Sequence, residues 1–400
     1  RALFIMKIFS LEKFRILLIA LLPVAVMSYD MTFTNTLFYI SAAVGLYTLK
    51  TEKAKWLNIE KIILVLLLFC CCGLLISNFF SVYDADNSIK WARRYCYWML
   101  PLLLMYGLWF NNNNCRKAFV YGCLLGSFLL IGYAVYQNQF LNIQRAYSVT
   151  TNPNSYSAII CMVFPFVLFY IKNNLLKILT VGIYLYGIMI SGSRGSFLAF
   201  CLVLLIYIYF LKKHTEHKFT KKYTAIILLF IMIFAGIGIN QIQNNSVTIF
   251  SRFQNMTKQS IYKTDSERIY LWQSSFKMIK DYTWHGVGLR NFNKVYIDGN
   301  YINPNAKEPD LQSPHNIVLH YLTEMGIIGT VPFVVLFGYL FLWCKRNIDN
   351  VLAIGLLSSL FVICLNNMVD YQFIVKQYYQ LFWLILGAVM ADVYFWRKIK

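Results

Sequence analysis

The stretch Ser313-Pro314-His315-Asn316 combines a candidate base with the start of a predicted helix. Ser313 is a good helix N-cap and Pro314 suits the first helical position, so the pattern predicts His315 and Asn316 in the first turn. A helix N-terminus carries free N–H groups and partial positive charge, which attract an anion and disfavour protonation of a nearby imidazole. His315 is therefore predicted to be a neutral general base beside an anion site. The alternative is a polar residue at a loop–helix junction without a chemical role.

Polar residues continue along the same predicted helix. Asn316, His320 and Glu324 recur at i, i+4 and i+8, which places them on one face. This polar stripe either lines a cavity that binds substrate or satisfies polar groups on neighbouring helices.

Arg194 is a second candidate, because it lies in a predicted six-residue turn, Ser191 to Ser196, between two apolar runs. A guanidinium at membrane depth costs roughly 2.5–3.5 kcal/mol on insertion scales, so it usually has an anionic partner or a wet cavity. The small flanking residues leave backbone N–H groups accessible, and such groups suit phosphate oxygens. The alternative is an arginine that extends from a tight turn to the membrane surface.

Four further arginines, predicted to lie with Arg194 on the outer side of a membrane, are candidate substrate contacts: Arg93, Arg94, Arg145 and Arg290. Arg93 and Arg94 follow Trp91 where an apolar run begins, a pattern that is equally typical of a belt of lipid headgroup contacts. Arg145 precedes an Asn-Pro pair, which is also a common way to turn the chain before a helix.

Arg268 lies on a predicted helix in the longest polar segment. Thr264 and Glu267 fit a capping box, so the helix is expected to begin there, and Arg268 then shares a face with Trp272. Neighbouring apolar residues would let this helix lie on the membrane surface or cover a cavity. The alternative role for Arg268 is an ion pair with Asp265 or Glu267.

The elements that must position these side chains are membrane helices. Hydrophobic residues make up 58% of the 400-residue chain and charged residues only 14%, and many apolar runs approach the length that crosses a bilayer. The sequence therefore predicts an all-α, polytopic membrane protein with about twelve transmembrane helices. The predicted spans are 14–28, 31–49, 62–80, 95–110, 118–136, 157–171, 175–191, 196–211, 224–240, 327–343, 351–369 and 377–396.

Charge placement predicts the orientation. A net charge of +20 would suggest a nucleic-acid partner for a soluble protein, but basic residues set the topology of a membrane protein, and no nucleic acid is expected here. Most basic residues of the short loops fall on one side, which predicts that both termini are cytoplasmic. Met6 is the expected natural start of the chain.

The predicted spans divide the chain into three parts. Residues 1–240 are expected to hold transmembrane helices 1–9, and residues 327–400 to hold helices 10–12. Residues 241–326 are expected to form one large helical loop on the outer side, which carries the His315 segment.

Cysteine and acidic residues do not indicate a metal site or a disulfide. The ten cysteines lie in apolar runs or at their ends, so no structural disulfide is expected. The spacing Asp84-Ala85-Asp86 resembles a metal-binding Asp-x-Asp pair, but two acidic residues in a polar loop need no such role. No metal or other cofactor is predicted.

Several motifs, taken in order, resemble those of the O-antigen ligase and polymerase superfamily. They are Ser193-Arg194-Gly195, then Arg268-x-x-x-Trp272 followed by Gly286-x-Gly288, then His315-Asn316 leading to Glu324-x-Gly326-x-x-Gly329. The motifs cover roughly residues 145–345, and the pattern of spans extends the resemblance to the whole chain. The resemblance implies a membrane-embedded glycosyltransferase of the GT-C type, with its active site at the periplasmic face of the bacterial inner membrane and no need for a metal.

The resemblance also implies roles for three residues. Arg194 and Arg268 are implied as diphosphate ligands, because positioned arginines stabilise the charge that develops on a leaving phosphate. His315 is implied as the catalytic histidine, which suits removal of a proton from an attacking sugar hydroxyl. Two positions depart from the family pattern: many members have a second histidine where this chain has Ser313, and a proline before the Gly-x-Gly turn where this chain has a Trp-His pair.

The expected reaction is transfer of a glycan from undecaprenyl diphosphate to a sugar hydroxyl of lipid A-core in lipopolysaccharide assembly, with inversion at the anomeric carbon. A polymerase, which joins the glycan to a second lipid-linked repeat unit, would share the active-site residues, and a protein-glycosylating relative is a further alternative. A flippase or other transporter of lipid-linked glycans, a different class of protein, would account equally for the spans and buried charges. The expected partners are the lipid-linked donor, the acceptor and membrane lipids.

Overall fold

The computed structural model describes residues 11–214, 258–306 and 313–399, and these residues form helices joined by turns, with no strand among them. The all-α prediction is confirmed for this part of the chain. The predicted start at Met6 and the predicted span 224–240 lie outside it. In chain order the helices are α1 (Leu11–Ser28), α2 (Met31–Thr51), α3 (Lys53–Leu57), α4 (Lys61–Phe79), α5 (Ala85–Tyr97), α6 (Pro101–Leu108), α7 (Asn112–Gln139), α8 (Pro153–Tyr170), α9 (Asn174–Ser191), α10 (Arg194–His214), α11 (Lys258–Asp281), α12 (Phe292–Asp298), α13 (Ile317–Arg346), α14 (Val351–Val369) and α15 (Lys376–Ile399).

Asparagine side chains start several of these helices. Each accepts a hydrogen bond from a backbone N–H two or three residues later; they are Asn111, Asn152, Asn173, Asn316 and Asn350. Asparagine is among the best N-caps because its short side chain satisfies N–H groups that have no partner within the helix. These caps fix where the chain leaves a turn and enters a helix.

Seven of the described helices are long and apolar enough to cross a membrane: α4, α7, α8, α9, α13, α14 and α15. Each corresponds to one of the predicted spans. Helix α1 has 18 residues, the length of a span, but carries three charged residues, Glu12, Lys13 and Arg15. Helix α2 has 21 residues but is less apolar than the seven. The apolar part of α10 is shorter, Arg194–Phe210. The membrane character is therefore supported, and the count of twelve spans stays a prediction.

The predicted span 95–110 is divided in two, so the prediction of one continuous helix there is wrong. Helix α5 ends at Tyr97 and α6 begins at Pro101. Proline disrupts a helix interior because it lacks an N–H donor and its ring clashes with the preceding turn, whereas it is well tolerated at the start of a new helix. Neither piece alone has the length of a transmembrane helix.

The described chain divides into two compact units. The first contains the described parts of Arg1–Leu37, Asn111–Met256 and Asp349–Asn366. Within it α1 packs on α7, and α8 packs against α7, α9 and α10. A Cβ added to Gly122 of α7 would lie 2.1 Å from the carbonyl oxygen of Ala20 in α1. The absence of a side chain at Gly122 therefore lets these two helices approach closely.

The second unit contains the described parts of Phe38–Phe110, Thr257–Ile348 and Asn367–Lys400. Here α4 packs along α13, and α15 packs on α6. A Cβ added to Gly73 of α4 would lie 2.7 Å from the carbonyl oxygen of Ile328 in α13. Helices α4 and α13 thus form a close pair that supports the segments described next.

A separate apolar core joins α11 to α12 in the second unit. Its buried members are Leu271, Met278, Val287, Phe292, Val295 and Tyr296. Tyr83, from the turn before α5, packs against this core, and its hydroxyl donates to the Asp298 carboxylate. The Tyr301 hydroxyl donates to the Asp281 carboxylate at 2.6 Å. The described part of the large polar segment is therefore a folded layer with its own core.

Two glycine turns join this layer to α13. The helix is interrupted at Gly326, whose φ of 59° and ψ of −164° belong to a region that glycine alone adopts readily. The facing turn at Gly286 also has a positive φ, 70°. A Cβ on Gly326 would lie 2.4 Å from the carbonyl carbon of Trp284, and a Cβ on Gly286 would lie 2.4 Å from that of Glu324. Both positions therefore require glycine.

Residues 283–288 contact residues 323–328, and we call this contact the glycine junction. Backbone hydrogen bonds join its two sides. Four bonds of 2.8–3.0 Å cross it, two in each direction. The hydroxyl of Ser77 in α4 lies within hydrogen-bond distance of the carbonyl oxygens of His285 and Met325, at 2.8 and 2.7 Å. The break in α13 leaves backbone N–H and C=O groups without partners in the helix, and the junction supplies hydrogen bonds to them. Such groups need partners in an apolar environment.

Candidate functional site

His315 lies just before α13 rather than in its first turn. The N-cap of this helix is Asn316, whose side-chain oxygen accepts hydrogen bonds from the N–H groups of Val318 and Leu319 at 3.0 and 3.1 Å. The predicted cap at Ser313 is wrong, because an asparagine three residues later offers an equally good cap. His315 takes the left-handed backbone conformation, with a φ of 51°, which residues other than glycine seldom adopt.

The imidazole of His315 is paired with a carboxylate. Its Nδ1 lies 3.0 Å from Oδ1 of Asp370, the residue that follows α14. The other carboxylate oxygen accepts a hydrogen bond of 2.8 Å from the side chain of Gln372. The His315 side chain is 30% exposed and that of Asp370 is 19% exposed, so the pair is partly shielded by protein and still reachable by a ligand.

This geometry sets the tautomer of the imidazole. An ionised carboxylate only accepts hydrogen bonds, so a neutral His315 carries its proton on Nδ1 and presents an unprotonated Nε2. Nε2 can then take a proton from a hydroxyl group, and Asp370 stabilises the imidazolium that results. A carboxylate partner therefore orients the imidazole, in place of the helix N-terminus that the sequence suggested.

Asp370 is absent from the residues that the sequence singled out. It stands 55 positions after His315, directly after an apolar helix of 19 residues. The C-terminus of a helix carries partial negative charge, so a carboxylate there is electrostatically disfavoured. An acidic residue at the unfavourable end of an apolar run is the local signal that could have identified it.

Two asparagines position the pair. Nδ2 of Asn316 donates to the Met368 carbonyl at 3.2 Å, which ties the start of α13 to the end of α14. Oδ1 of Asn367 accepts from the N–H groups of Gln372 and Phe373 at 2.8 and 3.1 Å. These bonds close the loop that carries Asp370, so in this structure Asn316 positions the site as well as capping α13.

Trp272 brings α11 to the same segment. Its indole N–H donates to the Pro314 carbonyl at 2.8 Å. Arg268 lies one turn earlier on the same face of α11, and it has no hydrogen bond or ion pair with the described residues. The predicted helix is present, but it begins at Lys258 rather than near Thr264, because the preceding residues contain no helix breaker.

His320 and Glu324 are buried against each other. His320 Nε2 lies 3.0 Å from Glu324 Oε2, and each side chain is only 2% exposed. The His320 ring also lies against Tyr371, with centroids 4.1 Å apart, and the other Glu324 oxygen accepts from the Phe292 N–H at 3.3 Å. These two members of the polar stripe therefore contact neighbouring elements instead of lining an open cavity.

Two of the four further arginines meet on one aromatic ring. The Cζ atoms of Arg290 and Arg94 lie 4.5 and 4.6 Å from the ring centroid of Trp91. Nη2 of Arg290 donates to the Ile374 carbonyl at 3.3 Å, on the same loop as Asp370. Arg93 is exposed and has no such contact with the described residues. Arg290 and Arg94 are thus connected to the loop of the His315–Asp370 pair.

Arg145 braces a turn in the first unit. Its Nε donates to the Ser191 carbonyl at 3.1 Å, and its Nη2 donates to the Asn154 side chain at 3.0 Å. A Cβ on Gly192 would lie 3.2 Å from the Arg145 Nε. The guanidinium is therefore engaged in holding the end of α9 in place.

Arg194 is the first residue of α10, next to that turn. The predicted six-residue turn has only two residues, because the Ser193 hydroxyl caps α10 by accepting from the Ser196 N–H at 3.5 Å. Arg194 is partly exposed and forms no hydrogen bond or ion pair with the described residues. It is therefore available to a ligand, whereas Arg145 is not.

The described residues contain no group of three His, Cys, Asp or Glu side chains that could hold a metal ion. Asp84, from the Asp-x-Asp sequence, caps α5 by accepting from the Asn87 N–H at 3.3 Å. It also lies 3.4 Å from the Lys294 ammonium group. Asp84 thus has structural partners at the edge of the folded layer.

A protein-family model described as O-antigen ligase matches residues 179–334. The matched stretch contains Arg194, Arg268 and His315, together with both sides of the glycine junction. No curated protein matches the chain.

Proposed function

We propose that this chain, which matches the O-antigen ligase family over residues 179–334, transfers a glycan from undecaprenyl diphosphate to a sugar hydroxyl of lipid A-core. The His315–Asp370 pair carries the proposal. It supplies an oriented imidazole that is partly exposed and has one free ring nitrogen. His315 lies within the matched region, just before α13, and Asp370 lies outside that region. Transfer to a hydroxyl needs such a base, because the acceptor must lose its proton as it attacks.

The reaction is a single displacement. The acceptor oxygen forms a bond to the anomeric carbon of the donor sugar while the bond from that carbon to the diphosphate oxygen breaks. Nε2 of His315 takes the acceptor proton, and the electron pair of the broken bond leaves with undecaprenyl diphosphate. Attack from the face opposite the leaving group inverts the configuration at the anomeric carbon.

Arg194 and Arg268 are the proposed ligands of the diphosphate. Both guanidiniums lack a hydrogen-bond or ionic partner among the described residues, which suits a role that a ligand completes. Guanidinium groups bind phosphate oxygens with paired hydrogen bonds and stabilise the negative charge that develops on the leaving group. Arg268 is connected to the base through Trp272, which holds the Pro314 carbonyl.

The proposed setting is the bacterial inner membrane. We propose about twelve spans, both termini in the cytoplasm, and residues 241–326 as a large periplasmic loop above the active site in a GT-C-type arrangement. The seven apolar helices and the folded layer formed by α11 and α12 support this setting. An undecaprenyl chain would then lie among the spans with its diphosphate at the outer interface.

The test is transfer by the purified protein in detergent with EDTA present, using an undecaprenyl-diphosphate glycan as donor. One arm offers lipid A-core as acceptor, and the other offers a second lipid-linked glycan. The expected result is product on lipid A-core with inverted anomeric configuration. Ladders of repeat units without core product would instead identify a polymerase. Retained configuration would overturn the single displacement, and bound donor without transfer in either arm would favour a transporter.

A further inference from the structure

The geometry points to a second anion site, formed by Arg94, Arg290 and Trp91, that binds a phosphate monoester of the acceptor glycolipid. This inference rests on the proposed function, because it assigns an acceptor group to a cluster beside the proposed base. It separates the acceptor site from the diphosphate ligands Arg194 and Arg268.

The two guanidiniums contact the same indole ring, although they carry like charges. Both Cζ atoms are within 4.6 Å of the Trp91 centroid. Contact with an aromatic ring stabilises each cation, but it leaves the net charge of two unchanged. Neither arginine has an ion pair with a described carboxylate. A phosphate monoester, with a charge of about −1.5 to −2 at neutral pH, would neutralise both groups.

Arg290 is held in place before any ligand binds. Its backbone has a positive φ of 67°, a conformation that is strained for a residue other than glycine. Nη2 is engaged by the Ile374 carbonyl, which fixes the plane of the guanidinium. Its Nε is buried and has no hydrogen-bond partner among the described residues. A buried N–H without a partner is costly, and a bound anion would satisfy it.

The site is connected to the base through one short loop. Asp370 orients His315, and Ile374, four residues later, holds Arg290. A chain of four residues spans at most about 14 Å, so the two anchor points of the loop are close. An acceptor saccharide that presents its hydroxyl to His315 therefore brings a phosphate on a nearby sugar within reach of Arg290 and Arg94.

A bulk phospholipid headgroup is the competing source of phosphate, since Trp and Arg are common at membrane surfaces. The observations favour the acceptor because Arg290, unlike the exposed Arg94, is partly buried and tied to the loop of the base. A headgroup contact needs neither feature of Arg290. The experiment must therefore separate acceptor phosphate from membrane phosphate.

The test measures binding of lipid A-core to protein that carries His315→Ala, so that no turnover occurs. The second ligand is the same glycolipid after phosphatase treatment. Arg290→Gln and Arg94→Gln should each weaken binding of the intact glycolipid about tenfold, which corresponds to about 1.4 kcal/mol, and leave binding of the treated form unchanged. Arg94→Lys should fall between, because the charge remains while the planar stacking is lost. Lys90→Gln, an equal loss of charge at an exposed position of α5, is the control and should have no effect.

Equal weakening for the intact and treated glycolipids would overturn the inference, as would unchanged binding by both glutamine variants. A parallel arm compares nanodiscs of phosphatidylcholine and phosphatidylglycerol. Loss of the arginine dependence in phosphatidylglycerol alone would assign the site to membrane headgroups and also overturn it. If the wild type binds as expected but transfers nothing to lipid A-core, the proposed function fails while this site stands.

Discussion

The glycine junction and the His315 segment (residues 313–316) both lie in the second unit, yet the two hold their shapes by opposite means. At the junction, backbone groups bond to each other, and positive φ angles fall on Gly286 and Gly326. At the segment, the positive φ falls on a histidine, and side chains form the bonds. A region whose shape depends on missing side chains is a scaffold, whereas a region that strains its backbone to present a side chain is suited to chemistry.

This contrast predicts that substitutions in the two regions affect different measurements. Changes at the junction should lower the thermal midpoint of the protein in detergent. Changes at the segment should lower the rate of transfer and leave the midpoint nearly unaltered. A variant that lowers both quantities equally in either region would break the distinction.

His315→Ala should have the largest effect on activity. Loss of a general base lowers kcat by about 10²–10⁴-fold, and the lost imidazole is 30% exposed, so the thermal midpoint should change little. Initial transfer rates at saturating donor and acceptor, beside a thermal melt, would measure both. Retention of more than a tenth of the rate would remove His315 from the mechanism.

Asp370→Asn should have the next largest effect on activity. The amide can donate to Nδ1 of His315, which favours the tautomer with its proton on Nε2 and leaves no free base. We expect kcat to fall by about 10–10³-fold with little change in the KM of either substrate. Asp370→Glu keeps the charge and should recover part of the rate. Equal rates for the asparagine and glutamate variants would contradict an orienting carboxylate.

Gly326→Ala should destabilise the fold. The left-handed backbone alone costs about 1–3 kcal/mol for a residue with a Cβ, and the new atom would collide with the Trp284 backbone. Gly338 lies in the same helix, and a Cβ added there would meet no atom within 4 Å, so Gly338→Ala is the matched control and should be neutral or stabilising. Thermal melts of both variants give the comparison. Similar midpoints for the two would show that the junction is not a scaffold.

Trp272→Phe should have the smallest effect. It removes the hydrogen bond to the Pro314 carbonyl, a loss of about 0.5–1.5 kcal/mol, and loosens the segment that carries His315. Because Trp272 belongs to α11 and to neither of the two compared regions, we expect a modest decrease in both the thermal midpoint and kcat. Trp284→Phe is the control, because Trp284 contributes its backbone carbonyl to the junction, whereas its ring is 65% exposed and should be replaceable. A rate for Trp272→Phe that matches the control would mean that α11 does not support the segment.

The helical class could be predicted because apolar length is a local property of the chain. The division at Pro101 also has a local cause, which the run of apolar residues concealed. The start of α13 was harder, because Ser313 and Asn316 are both good caps and tertiary bonds to Met368 favour the second.

The site could be predicted only in part, for a physical reason. His315 can be predicted from its residue type and a helix start that the sequence places too early, whereas its pairing with Asp370 is a contact between residues 55 positions apart. No periodicity encodes such a contact. The engagement of Arg145 and the burial of His320 with Glu324 likewise depend on neighbours that only the folded chain brings together.

The left-handed backbone of His315 has a practical consequence for structure determination. Glycine adopts such a φ without strain, whereas alanine does not. His315→Gly should therefore be as inactive as the alanine variant and more stable than it. Such a protein could hold donor and acceptor together without consuming them, and it would be the preferred form in which to capture both glycolipids in one complex.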